Sequence, residues 1–167
     1  MIQIYTGNGK GKTTAALGLA LRAVGAGKRV LFVRFMKDKN SSELKAMELL
    51  PGLYVYTFGR SGFYHPQKTS VADIKTIREG LEFVNKEIVK HCFDVIVLDE
   101  INNTVDIGFI KPEEVIKVVK AATFEEIILT GRNAVKKLIK EAHLVTNMQE
   151  RKHYFCEGIG ARKGIEY

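Results

Sequence analysis

Cysteine is scarce in this sequence, and no spacing pairs the few that occur. Cys92 and Cys156 are the two thiols in 167 residues, and they form no C-x-x-C motif. That argues against a disulfide framework and leaves two small reduced thiols. His65, His91, His143 and His153 show no H-E-x-x-H spacing, so no zinc site is legible. No apolar run is long enough to span a membrane. The first residues lack a basic segment followed by an apolar run and a small-residue cleavage site, and residues 2–6 already read as a strand. The expected compartment is the cytoplasm. Repeats, low-complexity stretches, linkers and long basic runs are also missing.

A chain of this length is expected to form one domain, 1–167, with a core that needs no metal or disulfide staple. Apolar residues make up 46% and charged residues 27%, a balance typical of soluble globular enzymes. The formal charge of +7 favours anionic partners, either nucleic acid or a polyphosphate nucleotide. The basic residues are scattered, so much of that charge reads as solvated surface and nucleic acid is the weaker candidate.

Apolar runs alternate with helical patterns. Residues 2–6, 29–35, 53–58, 93–100, 125–131 and 142–148 read as strands. Residues 12–24 read as a helix ended by Gly25 and Gly27, and 41–50 as a short helix stopped by Pro51-Gly52. Ile74, Ile77, Leu81, Val84 and Ile88 form a 3.6-residue stripe, with Ser70 and Asp73 suited to a capping box at its start. Pro112 suits the first turn of a later helix, and Asn133 is placed to cap another. Residues 59–67 form a loop carrying Phe63 and Tyr64, which either cover an apolar ligand or anchor the loop. Residues 151–167 form an irregular arm. This alternation predicts an α/β fold: a P-loop NTPase-like three-layer αβα sandwich with a mainly parallel central sheet, its ligand at the carboxyl ends of the strands.

The stretch after the first strand, "TGNGKGKTT", carries the chemistry. Its glycines let successive N–H groups point at oxyanions, and the following helix adds the positive end of its dipole. Lys12 supplies charge and the Thr13 hydroxyl can ligate Mg²⁺. The loop is nevertheless one residue short of G-x-x-x-x-G-K-[ST], because Thr6 stands where the first glycine belongs. Asp99-Glu100 ends a buried strand, where a carboxylate is costly unless it meets a cation. One acid is expected to ligate the metal while the other orients water or backbone. Thr130-Gly131-Arg132 follows another buried strand, and Arg132 can reach a phosphate.

Together "YTGNGKGKTTAALGLALRA", "VIVLDEIN", "ILTGRNA" and "KHYFCEGIGARKGIEY" resemble the P-loop corrinoid adenosyltransferases, in matching order from Ile4 almost to Tyr167. The resemblance implies transfer of the 5′-deoxyadenosyl group of ATP to Co(I) of a reduced corrinoid, cobalamin or cobyrinic acid a,c-diamide, with release of triphosphate. ATP then lies reversed along the loop, and no protein nucleophile is needed. By motif, Asn8, Gly9, Lys10, Gly11, Lys12, Thr13, Thr14, Arg22 and Arg132 hold ATP. Thr13 and Glu100 hold Mg²⁺ or Mn²⁺, and Lys12, Thr13 and Glu100 carry the catalytic charge stabilisation. Phe63 and His65 fall in the loop that faces the corrinoid. An electron donor such as a reduced flavoprotein and a homodimeric state are further implications.

The sequence departs from the family pattern in places. His65 replaces a tryptophan, Asn103 an aromatic and Val135 a common proline, and no N-terminal extension is expected before the first strand. The rival readings are a generic P-loop ATPase or kinase, a recombinase-type ATPase that binds nucleic acid, and an inactive nucleotide sensor. A full-length loop and an arginine-rich lid, or clustered basic residues with stacking aromatics, would favour the first two. Intact Lys12, Thr13 and Glu100 argue against the third.

Overall fold

The β-rich runs pair into one six-stranded sheet in which every pairing is parallel, in the order β3-β2-β4-β5-β1-β6. The strands are β1 (Ile2–Thr6), β2 (Val30–Phe35), β3 (Leu53–Phe58), β4 (Val95–Asp99), β5 (Glu126–Thr130) and β6 (Leu144–Asn147). The helices are α1 (Lys12–Gly25), α2 (Ser42–Met47), α3 (Val71–Ile88), α4 (Ile101–Asp106), α5 (Pro112–Val119) and α6 (Lys136–Glu141). The computed structural model describes residues 1–60, 62, 64–65, 67–121 and 124–166. Phe63 lies outside the described residues.

Side-chain alternation along the strands builds two cores, one on each face of the sheet. Val30 and Phe32 of β2 and Val95 and Val97 of β4 meet Ala16, Ala20 and Ala23 of α1. Leu31, Val33, Ile96 and Leu98 point the other way, against Ile77, Leu81 and Val84 of α3 and Val115 and Val118 of α5. The small residues of α1 let that helix lie close to the sheet. Both faces of the central strands are covered, which explains runs that are nearly all apolar rather than alternating, Arg34 of β2 and Asp99 of β4 excepted. This is the P-loop NTPase-like sandwich, with an all-parallel sheet.

Two local expectations change. Asn133 does not cap α6: its backbone is left-handed (φ 52°) and its amide donates to Asp106, while Val135 occupies the cap position. The arm is not wholly irregular, since Tyr154–Glu157 form a 3₁₀ turn started by the His153 side chain. The capping box of Ser70 and Asp73 on α3 forms as expected. Among the described residues no helix is long and apolar enough to cross a membrane.

Candidate active site

The loop between β1 and α1 turns on glycines in left-handed backbone conformations that a side chain would strain. Gly7 has φ 99°, and a Cβ there would lie 2.3 Å from both the Asn147 side chain and the Met148 carbonyl. Gly11 has φ 115° and caps α1 without a side-chain bond. Ala15 makes the first helical bond, to the Gly11 carbonyl, so the N–H groups of Gly11, Lys12, Thr13 and Thr14 have no helical partner. They form an anion-binding terminus. Gly9 differs, because its N–H donates to the Met148 carbonyl at 2.7 Å. The segment after β6 thus clamps the loop's entrance, a contact without a sequence signal.

Lys12 is buried, and its ammonium donates to the Gly7 and Gly9 carbonyls at 2.8 and 2.7 Å. A phosphate at this loop competes with two carbonyls for that charge. Burial lowers the Lys12 pKa, while Glu100 opposes the shift.

Strand parity explains the acid pair. Asp99 continues the Val95 and Val97 side of β4, the face that α1 covers, so its carboxylate meets the first turn of α1. Asp99 is fully buried. Thr13 Oγ1 donates to its Oδ1 at 2.9 Å, and Thr130 Oγ1 donates to the same atom at 2.6 Å. Lys37 Nζ, from the loop after β2, donates to Asp99 Oδ2 at 2.8 Å and to Thr13 Oγ1 at 3.0 Å. The Thr130 hydroxyl also accepts the Glu100 N–H at 3.0 Å, which ties the ends of β4 and β5 together.

Glu100 breaks the strand with a left-handed backbone, φ 64°, an unusual conformation for a residue with a side chain. Its carboxylate is 4.0 Å from Lys37 Nζ. Burial raises the Glu100 pKa, and the neighbouring Asp99 charge raises it further. One hydroxyl and two carboxylates are hard oxygen donors of the kind that hold Mg²⁺ or Mn²⁺ together with nucleotide phosphates. Asp99 shares a hydrogen bond with Thr13, and Glu100 stands at the rim.

The remaining expected residues divide. Asn8 and Thr14 lie on the loop and the first turn of α1. Arg132 is exposed at the end of β5, close enough for its charge to act on both Lys12 and Glu100. Its N–H donates to the Asn103 side chain, which fixes the Gly131 turn. Lys10 points away from the loop's centre, donating to Tyr154 OH and Glu166 Oε1 at 2.9 Å and to the Ile165 carbonyl at 3.2 Å. Arg22 is in the last turn of α1, ten residues or ~15 Å from Lys12. His65 is exposed, and its Nδ1 accepts the Gln67 N–H at 3.2 Å. Tyr64 packs edge-on to Phe109 under the Arg60 guanidinium, so it anchors its loop.

A polar cleft of about 530 Å³ opens beside Lys37. Asp38, Asn40, Ser41 and Arg60 line it, and Glu166 brings in the arm. Sequence reasoning missed Lys37, and nothing about a lysine in "MKDKN" marks it. The residues alone leave the two acids of Asp99-Glu100 open, and the family resemblance assigns the metal to Glu100, whereas Asp99 is the acid that bonds to Thr13 here.

An α/β sandwich with a glycine-rich loop, a buried lysine and a hydroxyl–carboxylate cluster at the first helix is the architecture of the P-loop NTPase-like class. The family model described as "ATP:corrinoid adenosyltransferase BtuR/CobO/CobP" matches residues 1–167, and the chain belongs to that family of transferases. It is 32% identical over 169 residues to the corrinoid adenosyltransferase of Escherichia coli (strain K12), covering 100% of this chain and 85% of that one. Identity to corrinoid adenosyltransferase CobA of Salmonella typhimurium is 33%, with the same coverage. With the Pseudomonas aeruginosa corrinoid adenosyltransferase it is 30%, covering 100% and 83%.

Proposed function

We propose that this protein transfers the 5′-deoxyadenosyl group of ATP to Co(I) of a reduced corrinoid, releasing triphosphate. The observation that carries this reading is the convergence of Lys12, Thr13, Asp99 and Glu100 at the N-terminus of α1, in a chain that matches the family from end to end. The substrate's Co(I) electron pair forms the cobalt–carbon bond, and the C5′–O bond breaks with its pair leaving on triphosphate. Charge therefore grows on the leaving group. The free N–H groups of α1 and the Lys12 ammonium are suited to stabilise that charge. Thr13 and Glu100 hold Mg²⁺ or Mn²⁺, with Asp99 orienting Thr13. The metal supplies further charge stabilisation when bound.

Asn8, Gly9, Gly11, Thr14 and Arg132 complete the phosphate shell. Lys10 joins it if the arm lets go, and Arg22 serves the nucleoside end, away from the loop. The cleft beside Lys37 takes part of the corrinoid's amide-bearing rim, and by the family resemblance Phe63 and His65 face the same substrate. The working unit is one domain, 1–167, with 151–167 as an arm. It acts as a cytoplasmic homodimer supplied with electrons by a reduced flavoprotein. Phosphorus product analysis tests the reaction: incubation with ATP, Mg²⁺ and cob(I)alamin or the a,c-diamide should yield triphosphate. Orthophosphate alone would point to hydrolysis instead.

A further inference from the structure

Lys37 is the cation of the described site that no motif announces. Its ammonium touches Asp99 Oδ2 and Thr13 Oγ1 and lies 4.0 Å from Glu100 Oε1. Thr13 and Glu100 are the residues that the metal reading needs, and Asp99 anchors the ammonium between them. An ammonium and a divalent cation compete at this spacing, because they draw on the same lone pairs and repel each other. Asp99 is fully buried, and a carboxylate there is costly without a positive partner. The Lys37 side chain is about a quarter exposed, and it lines the cleft that leads away from the site. It therefore has somewhere to go.

We propose that Lys37, anchored on Asp99, is a tethered cation that competes with the divalent metal for the space between Thr13 and Glu100, so that the protein takes up the metal only together with the nucleotide's phosphates. The inference rests on the reading of Thr13 and Glu100 as metal-holding residues. Free metal must displace Lys37 and gains only protein oxygens in return. Metal arriving with a polyphosphate brings anionic oxygens to which the displaced ammonium can turn. The device prevents a stray cation from occupying the site in an unproductive form.

Mn²⁺ titration followed by electron paramagnetic resonance tests this without any turnover. In the absence of nucleotide, Lys37→Met should bind Mn²⁺ at least tenfold more tightly than the wild type. Lys37→Gln, which keeps a hydrogen-bond donor but no charge, should show the same gain. If either variant is too unstable to titrate, Mn²⁺ without nucleotide should raise its melting temperature several degrees more than it raises the wild type's. Equal or weaker Mn²⁺ binding by the variants, or equal melting shifts, would overturn the proposal. A wild-type titration with ATP separates the two levels. If ATP brings Mn²⁺ onto the wild type while the variants gain nothing, only the role of Lys37 falls. If ATP brings no Mn²⁺, the metal reading falls and Lys37's role with it.

Discussion

Lys10 of the phosphate loop and Glu166 of the arm lie 156 positions apart in sequence, and their ammonium and carboxylate meet at 2.9 Å. Glu166 also accepts from the Tyr154 hydroxyl and from the Arg162 backbone and guanidinium. Arg162 first, then Tyr154 and Lys10, hold the Glu166 carboxyl well below the usual carboxylate range. The arm is thereby latched to the loop between β1 and α1.

The latch has a defined pH response. A carboxyl whose folded pKa is depressed stabilises the fold above its unfolded value, near 4.5, and loses that contribution as pH falls below it. Amide exchange of residues 152–166 should therefore stay equally protected, after correction for intrinsic rates, from pH 8 to pH 5. Glu166→Gln should lose that protection across the whole range. Protection that survives the substitution would mean the arm is held elsewhere.

Lys12→Ala should lower kcat/KM for ATP at least ~100-fold, the scale expected when a charge-stabilising group is lost from the site. The fold should persist, because the Lys12 ammonium bonds to the Gly7 and Gly9 carbonyls of its own loop. Near-wild-type turnover would remove the loop from the reaction.

Thr130→Val keeps the shape of β5 but deletes the hydroxyl between Asp99 Oδ1 and the Glu100 N–H. A part-buried donor left unpaired costs about 1–3 kcal/mol. Urea denaturation should report a loss of that size. A change within experimental error would show that Thr130 is not a structural link between the two strand ends.

Gly7→Ala tests the clamp on the loop. The added Cβ falls 2.3 Å from the Met148 carbonyl and Asn147 Oδ1, in a backbone conformation that alanine disfavours. The segment after β6 must retreat, which breaks the Gly9–Met148 bond. Heat denaturation should fall by several degrees, and ATP should bind more weakly. An unchanged melting temperature would show that the segment moves freely.

The central strands were legible because their runs are buried on both faces and apolar but for Arg34 in β2 and Asp99 at the end of β4. α4 was not, since its six residues begin without a capping side chain, at a left-handed Glu100 that no propensity announces. Asn133 misled for a related reason. Its residue type suits a cap, but tertiary contact with Asp106 outweighs the local preference. In the site, Lys12, Thr13 and the acid pair follow from the loop and the strand that carry them. Lys37 and the Met148 carbonyl do not, because their roles come from strands and loops brought together across the sheet.

The central claim meets its most direct test in an anaerobic transfer assay. Purified protein, ATP and Mg²⁺ are mixed with chemically reduced cob(I)alamin or the a,c-diamide. The account predicts a light-sensitive alkyl-cobalt corrinoid and triphosphate in equal amounts, with both products strongly reduced in Lys12→Ala. Folded protein that binds ATP yet forms neither product with either corrinoid would contradict it.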